Sequence, residues 1–205
     1  MQAIEWQYQY PVMETFFSIQ GEGFHQGHAA FFIRLGGCDV GCVWCDVKES
    51  WNAAEHPTRD VASLVREVKE SGSTLCIITG GEPLMYNCDA LTHGLQAEGI
   101  STHLETSGAY PLSGNWDWIC VSPKKFKAPL ADVLSQAHEL KTVVFHKSDL
   151  DWALLHEKAC SPNCKLYLQP EWSKEKEMLP LLTDFIKQHP RYGLSLQIHK
   201  YMGVR

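Results

Sequence analysis

Long apolar runs are missing from this chain: no stretch reaches the roughly 20 residues that a membrane-spanning helix needs, so a bilayer is not its expected setting. The start, Met1-Gln2-Ala3-Ile4-Glu5, has neither the basic opening nor the apolar centre of a secretory signal, and a cytoplasmic location is expected. Positive charge is also short. Lys and Arg number 18 against 24 Asp and Glu, a formal charge of −6, which disfavours a broad electrostatic footprint on nucleic acid while leaving room for a local basic pocket. There is no internal repeat, low-complexity tract or long linker. With 205 residues, 44% hydrophobic and 20% charged, the chain is long enough to bury a core, and one domain over residues 1–205 is expected.

Cysteine is plentiful, with eight residues, but a short secreted chain, the usual setting of a disulfide framework, is absent, so mostly reduced thiols are expected. Cys76, Cys88 and Cys120 stand singly and read as small buried hydrophobes. Cys160 and Cys164 flank a Pro-Asn turn and read as a surface loop, because two ligands with no further pair do not make a metal site.

Short β-branched runs alternate with longer amphipathic stretches, the pattern of an α/β domain. Strands are predicted over 29–35, 74–78, 102–105, 118–121, 140–145, 166–169 and 194–198, with helices over 58–69, 89–98, 129–136, 149–159 and 174–188. The helix at 58 is given Thr58 as its N-cap. A right-handed βα series with parallel strands follows. The loops leaving its strands should then share one face, where ligands bind in barrels and open sheets alike. Those loops carry the cysteine cluster at 38–45, Thr79-Gly80-Gly81-Glu82-Pro83, Glu105-Thr106-Ser107-Gly108, Ser122-Pro123-Lys124, Gln169-Pro170 and His199-Lys200.

What the cysteine cluster lacks is a fourth member. Cys38-x3-Cys42-x2-Cys45 follows the apolar run Ala30-Phe31-Phe32-Ile33-Arg34-Leu35. Three thiolates crowded into eight residues repel one another unless a cation or cluster balances them. An iron–sulfur cube normally takes four cysteines, so three leave one iron open to a small molecule. Structural zinc, a rival, is four-coordinate and would need a ligand such as His25, His28 or His56. Three unrelated core cysteines are the remaining alternative.

These residues resemble a known family. The cysteine motif followed by Gly80-Gly81-Glu82-Pro83 is similar to the signature of radical S-adenosylmethionine enzymes. Ile19-Gln20-Gly21-Glu22-Gly23, Cys45-Asp46, Glu105-Thr106-Ser107-Gly108, Ser122-Pro123-Lys124, Leu168-Gln169-Pro170 and Gln197-x-His199-Lys200-Tyr201 narrow the resemblance to the 7-carboxy-7-deazaguanine synthase family, in the family's order from Glu14 onward. A small glycyl-radical activase shares the cysteine loop, but the Gln20-Gly21-Glu22 stretch and the terminal His199-Lys200-Tyr201 favour the synthases.

The resemblance implies a partial, modified (β/α) barrel with mostly parallel strands, forming a single radical S-adenosylmethionine domain that is usually paired as a homodimer. It implies a carbon–nitrogen lyase that converts 6-carboxy-5,6,7,8-tetrahydropterin to 7-carboxy-7-deazaguanine by radical ring contraction with loss of ammonia, in queuosine and deazapurine biosynthesis. A [4Fe–4S] cluster, S-adenosylmethionine, Mg2+ and an electron-donating reductase belong to that chemistry. A 5′-deoxyadenosyl radical would take hydrogen from the pterin and return it after rearrangement.

Residue by residue, the resemblance gives Cys38, Cys42 and Cys45 to the cluster, flanked by Trp44 and Asp46. Gly81 and Glu82 would lie along the methionine portion, Ser122, Pro123, Lys124 and Gln169 at the adenosyl moiety, and Glu105 and Ser107 at ribose or amino-acid groups. For substrate it gives Ile19, Gln20, Gly21 and Glu22, whose carboxylate accepts from ring donors, with Arg34 as a bidentate carboxylate clamp, Thr79, His199, and the terminal carboxylate of Arg205. Taken alone, Arg34 also reads as a strand-end salt bridge, Glu22 as a turn residue and His199 as a strand histidine. Phe16, Phe17 and Trp51 read as packing. One position departs from the pattern: Val47 stands where the family commonly has a hydroxyl for Mg2+, and valine has no oxygen to offer a hard cation.

Overall fold

The structure, a computed structural model, describes residues 8–205; the expectation drawn from Met1 to Glu5 lies outside them. Among the described residues nine strands form one open sheet: β1 (Gln9–Ile19), β2 (Ala29–Leu35), β3 (Thr58–Asp60), β4 (Leu75–Gly80), β5 (Ser101–Thr106), β6 (Trp118–Val121), β7 (Glu139–Val144), β8 (Lys165–Pro170) and β9 (Tyr192–Leu194). Their order is β3-β1-β2-β4-β5-β6-β7-β8-β9. Every pairing from β2 to β9 is parallel, and β1 is antiparallel to both its neighbours. Sheet and helices together make the partial, modified (β/α) barrel expected.

Helices α1 (Val61–Glu70), α2 (Asp89–Ala97), α3 (Ala131–Ser135), α4 (Asp149–Glu157) and α5 (Glu175–Gln188) connect the strands, and α6 (Ile198–Met202) closes the chain. Strand alternation divides the sheet into two faces. Ile33, Leu35, Cys76, Ile78, Leu104, Ile119, Val121, Leu140, Leu166 and Leu168 join the main core with helix residues Leu64, Val68, Leu91, Leu95, Leu134 and Leu182. The other face holds a smaller cluster, Ala30, Phe32 and Ile77, with Phe16 and Leu75 against it. Side chains of the opposite parity therefore point into the barrel: Arg34, Thr79, His103, Glu105, Trp118, Glu139, Lys141 and Gln169.

Three elements differ from the sequence reading. First, β1 was not predicted, because Pro11 and a register shift between Val12 and Glu14 blur its alternation. Second, residues 58–60 form β3 against β1, and α1 starts later: Asp60, not Thr58, is its N-cap, with the carboxylate accepting from Ser63 N at 2.7 Å. Third, the strand expected over 194–198 ends at Leu194. Ser195 N still reaches Leu168 O at 2.9 Å, but its hydroxyl donates to Gln169 Oε1 at 2.7 Å and accepts from Gly23 N at 2.9 Å. These bonds draw the chain off the sheet edge and into α6. Cys76, Cys88 and Cys120 are buried as expected, whereas Cys164, read as part of a surface loop, is buried in the core.

Candidate active site

The β1–β2 connection enters the barrel instead of passing over it. Phe24 stacks on Trp118 with ring centroids 5.0 Å apart, and His25 packs against His103 at 4.5 Å. The Glu139 carboxylate accepts from Phe24 N at 3.2 Å and Trp118 Nε1 at 3.1 Å. Gly23, at φ 67°, passes so close that a Cβ there would lie 2.1 Å from Glu139 Oε1, a place only glycine fits. This plug closes the lower end of the barrel, with Phe24 left 45% exposed, and presents Gln20, Gly21 and Glu22 to the space above.

Above the plug lies a cavity of about 280 Å³ at the C-terminal ends of the strands. Its wall includes Cys38, Cys42, Cys45, Trp44, Asp46, Val47, Gly81, Glu82, Glu105, Ser107, Ser122, Lys124 and Gln169, together with Ile19, Gln20, Gly21, Glu22, Arg34, Thr79, His199 and Arg205. Pro123, the remaining expected residue, is buried without lining it. Lys141 and Val143, which the sequence reading missed, and Thr106 and Gln197, which it quoted in motifs without a role, also line it.

The cysteine loop is fastened to its surroundings through backbone. Gly37 N donates to Ser50 O at 2.6 Å, Cys38 N to Trp51 O at 3.1 Å, and Glu82 N to Gly37 O at 2.8 Å. A Cβ on Gly81 would sit 2.2 Å from Gly37 O and 2.9 Å from Cys38 Cβ, so glycine there lets the end of β4 cross the loop. The buried Glu82 carboxylate spans to β5. Its oxygens accept from Thr106 Oγ1 at 2.5 Å, Leu84 N at 3.1 Å, and Ser107 N and Oγ at 2.8 and 2.5 Å. With its lone pairs so occupied, Glu82 ties the loops together.

The three thiols are free and share one cavity, yet among the described residues no three His, Cys, Asp or Glu side chains are placed to hold a single metal ion. Three thiols lining one cavity match a cluster in which each of three irons takes one sulfur. Burial pushes the Cys38 thiol up and the Cys42 thiol to about 11, so ionising them here calls for a compensating cationic centre. The donor set fits a cluster with one iron left for another ligand. Zinc finds no fourth partner in His56, whose Nε2 is bonded to Glu49 O at 2.8 Å, or in His25 and His28, which belong to the plug. Magnesium fits less well: the Val47 side chain has no oxygen, its carbonyl oxygen already accepts from Ser50 Oγ at 2.7 Å, and Asp46 Oδ2 accepts from Lys200 Nζ at 3.2 Å.

Around the loop, Lys124 Nζ lies 5.8 Å from the Trp44 ring centroid and donates to Ser122 O and Oγ at 2.7 and 2.5 Å. On the opposite wall, Arg34 gives Nε to Glu14 Oε1 at 2.9 Å, leaving its terminal nitrogens without a partner among the described residues. Arg205 folds back to the same place: its carbonyl oxygen accepts from Ser18 Oγ at 2.6 Å, and its guanidinium pairs with Glu14 at 2.9 Å. His199 lies in α6, not in a strand, and Ile198 N donates to Gly21 O at 3.0 Å. Burial lowers the His199 imidazole, against the pull of Glu22.

Glu22, Glu105 and Lys141 form the charged centre of this wall. Burial opposes ionisation of Glu22, but the charge and hydrogen bond of Lys141, aided by Gln197, bring its carboxyl down to about 2. Burial likewise opposes the Lys141 charge, and Cys120, Glu105, Glu22 and Glu139 outweigh it, holding the ammonium well above the usual lysine range. The signal for Lys141 was present in the sequence. It shares the inward parity of Glu139 and Val143, opposite to the core residue Leu140.

Comparison with known proteins shows the family. The Radical SAM superfamily model matches residues 32–121. A 7-carboxy-7-deazaguanine synthase from Flavobacterium psychrophilum is 50% identical over 194 residues, covering 95% of this chain and 92% of that protein. One from Synechocystis is 48% identical, with 96% and 94% covered. The crystal structure of QueE from Escherichia coli superposes with a TM-score of 0.83 at 29% identity, covering 92% of this chain and 94% of that one. With half its residues shared over nearly the full length, and the same fold, this chain belongs to the 7-carboxy-7-deazaguanine synthase family of the radical S-adenosylmethionine superfamily.

Proposed function

We propose that this enzyme converts 6-carboxy-5,6,7,8-tetrahydropterin to 7-carboxy-7-deazaguanine with loss of ammonia, a step towards queuosine, in the cavity at the strand ends. The observation that carries the reading is that one cavity is walled both by Cys38, Cys42 and Cys45 and by Gln20, Glu22, Arg34, Thr79 and His199. The first set would hold a [4Fe–4S] cluster through three irons. When bound there, the cluster and S-adenosylmethionine supply one-electron reduction and hydrogen-atom abstraction.

The chain's own residues bind, orient and exclude water. Trp44 and Asp46 flank the cluster; Gly81, Ser107, Ser122, Lys124 and Gln169 form the S-adenosylmethionine side, with Pro123 buried behind it and Glu82 holding two of its loops together, while Glu105 stands on the substrate side beside Gln20. On the substrate side, Glu22 accepts from the amino and amide donors of the ring. The free end of Arg34 meets the substrate carboxylate as a planar fork, beside Thr79, His199 and the folded-back Arg205, while Ile19, Gln20 and Gly21 shape the wall. No step here depends on Mg2+.

An outside electron donor is required, and we assign that role to a reductase. We further propose a homodimer working in the cytoplasm without nucleic-acid or membrane partners. Eight free thiols support a reducing compartment, and no helix among the described residues is long and apolar enough to cross a membrane. One domain is proposed for the chain, because among the described residues the sheet runs unbroken from β3 to β9.

Anaerobic reconstitution tests the reading. The full chain should take up iron and acid-labile sulfide, and with the pterin, S-adenosylmethionine and a reductant it should release the deazaguanine acid. Cys42→Ala should lose the cluster and reduce turnover to background. Zinc alone with no capacity for a cluster, or a loaded protein that forms no product, would overturn it.

A further inference from the structure

One buried cation in the barrel has no part in the reading above. The Lys141 side chain is only 4% exposed, and its Nζ donates to Glu22 Oε2 at 2.6 Å and to Glu105 Oε2 at 3.0 Å. Glu22 Oε1 accepts from Gln197 Nε2 at 2.7 Å, and Glu105 Oε1 from Gln20 Nε2 at 3.2 Å. The two carboxylates stand 19% and 21% exposed on the cavity wall, so the ammonium sits on the dry side and the acceptors on the wet side. Two other cations on the substrate side, Arg34 through its Nε and Arg205, pair with Glu14 and not with these carboxylates.

Resting on the pterin reading, we propose that Lys141 is a positioning residue of the substrate subsite, clamping Glu22 and Glu105 as two aligned acceptors for the donor edge of the ring. The chemistry requires such a clamp. Two carboxylates facing one space repel, and without a cation between them one takes up a proton and becomes a donor. A donor opposite the ring's own amino and amide hydrogens is a mismatch, whereas a carboxylate held ionised accepts from both. A lysine kept only for stability would behave differently: removing it would destabilise the fold through the carboxylates left unpaired without selecting between the pterin and S-adenosylmethionine.

Equilibrium binding separates the two roles without needing turnover. The probe is 6-carboxypterin, an oxidised pterin, titrated by its fluorescence into the reconstituted full-length protein without reductant, with S-adenosylmethionine titrated separately as the control. Lys141→Met should weaken pterin binding by roughly 30-fold or more and leave S-adenosylmethionine affinity within about twofold. Because Lys141 acts in part through Glu22, Glu22→Gln combined with Lys141→Met should lose less pterin affinity than the two single losses summed. Should Lys141→Met fail to fold, Lys141→Gln, which keeps a donor and loses the charge, reads the same loss. Unchanged pterin affinity, or losses that simply add in the double variant, would overturn the clamp while the pterin reading stands. A wild-type protein that takes up the cluster and S-adenosylmethionine but not the pterin would overturn that reading, and the clamp with it.

Discussion

At the scale of single residues, the departure at Val47 is the most direct to test. Val47 lines the cavity, with its amide N 3.4 Å from Cys45 Sγ, so Val47→Thr adds a hydroxyl at nearly constant volume. Magnesium titration of the variant should show an apparent affinity at least about tenfold tighter than in the wild type, the size expected when a metal site gains a supporting group. An equal Mg2+ response in both proteins would remove this account. The cysteines, Gln20, Glu22 and Arg34 were legible because each stands in a short motif. Lys141 showed only its inward parity, and Gln197 and Glu14 only their place in the family's order, since each acquires its role through a partner distant in sequence: Lys141 meets Glu22 across 119 positions, and Gln197 meets it across 175.

At the scale of elements, the crossing of β4 over the cysteine loop decides whether the loop is held. In Gly81→Ala the new Cβ would collide with Gly37 O and with Cys38 Cβ, neither of them the far end of a flexible chain. A loss of about 1–3 kcal/mol of stability is expected, together with reduced iron retention, measured by thermal melting and iron analysis of the reconstituted variant. Wild-type values of both would show that the loop gives way freely. The parallel strands from β2 to β8 were readable because they are short β-branched runs followed by helical spacing. The strand β3 and the end of β9 were not. A three-residue strand has no period to detect, and the end of β9 is set by Ser195 bonding to Gln169 and Gly23.

At the scale of the whole molecule, the plug makes stability depend on pH. Burial lifts the Glu139 carboxyl to about 7, helped by Glu105 and opposed by Lys141, and its Oε1 has no partner among the described residues. The folded protein keeps this proton up to about pH 7, whereas the unfolded chain releases it near the ordinary 4.5. Stability from this group therefore falls as pH rises between those values. His103 has the opposite slope: burial, reinforced by His25, lowers it to about 4 against an ordinary 6.5, so its contribution rises with pH across that interval. Glu139→Gln removes the first slope and leaves the second. Its melting temperature should gain on the wild type from pH 4.5 to 7, by the equivalent of roughly 2 kcal/mol, and parallel pH profiles would refute the assignment.

The sequence by itself determined the family, the α/β order and the triad of thiols, because these are local properties: a spacing of cysteines, a glycine pair, and runs whose period follows from backbone geometry. Only the tertiary structure decided that the β1–β2 connection turns inward as a plug, that Glu82 is spent on tying two loops together, and that Lys141 lies between Glu22 and Glu105. Those arrangements depend on which strand ends meet inside the barrel. Burial then sets the charge of each group, through neighbours brought close by the closing of the sheet and not by the order of the chain.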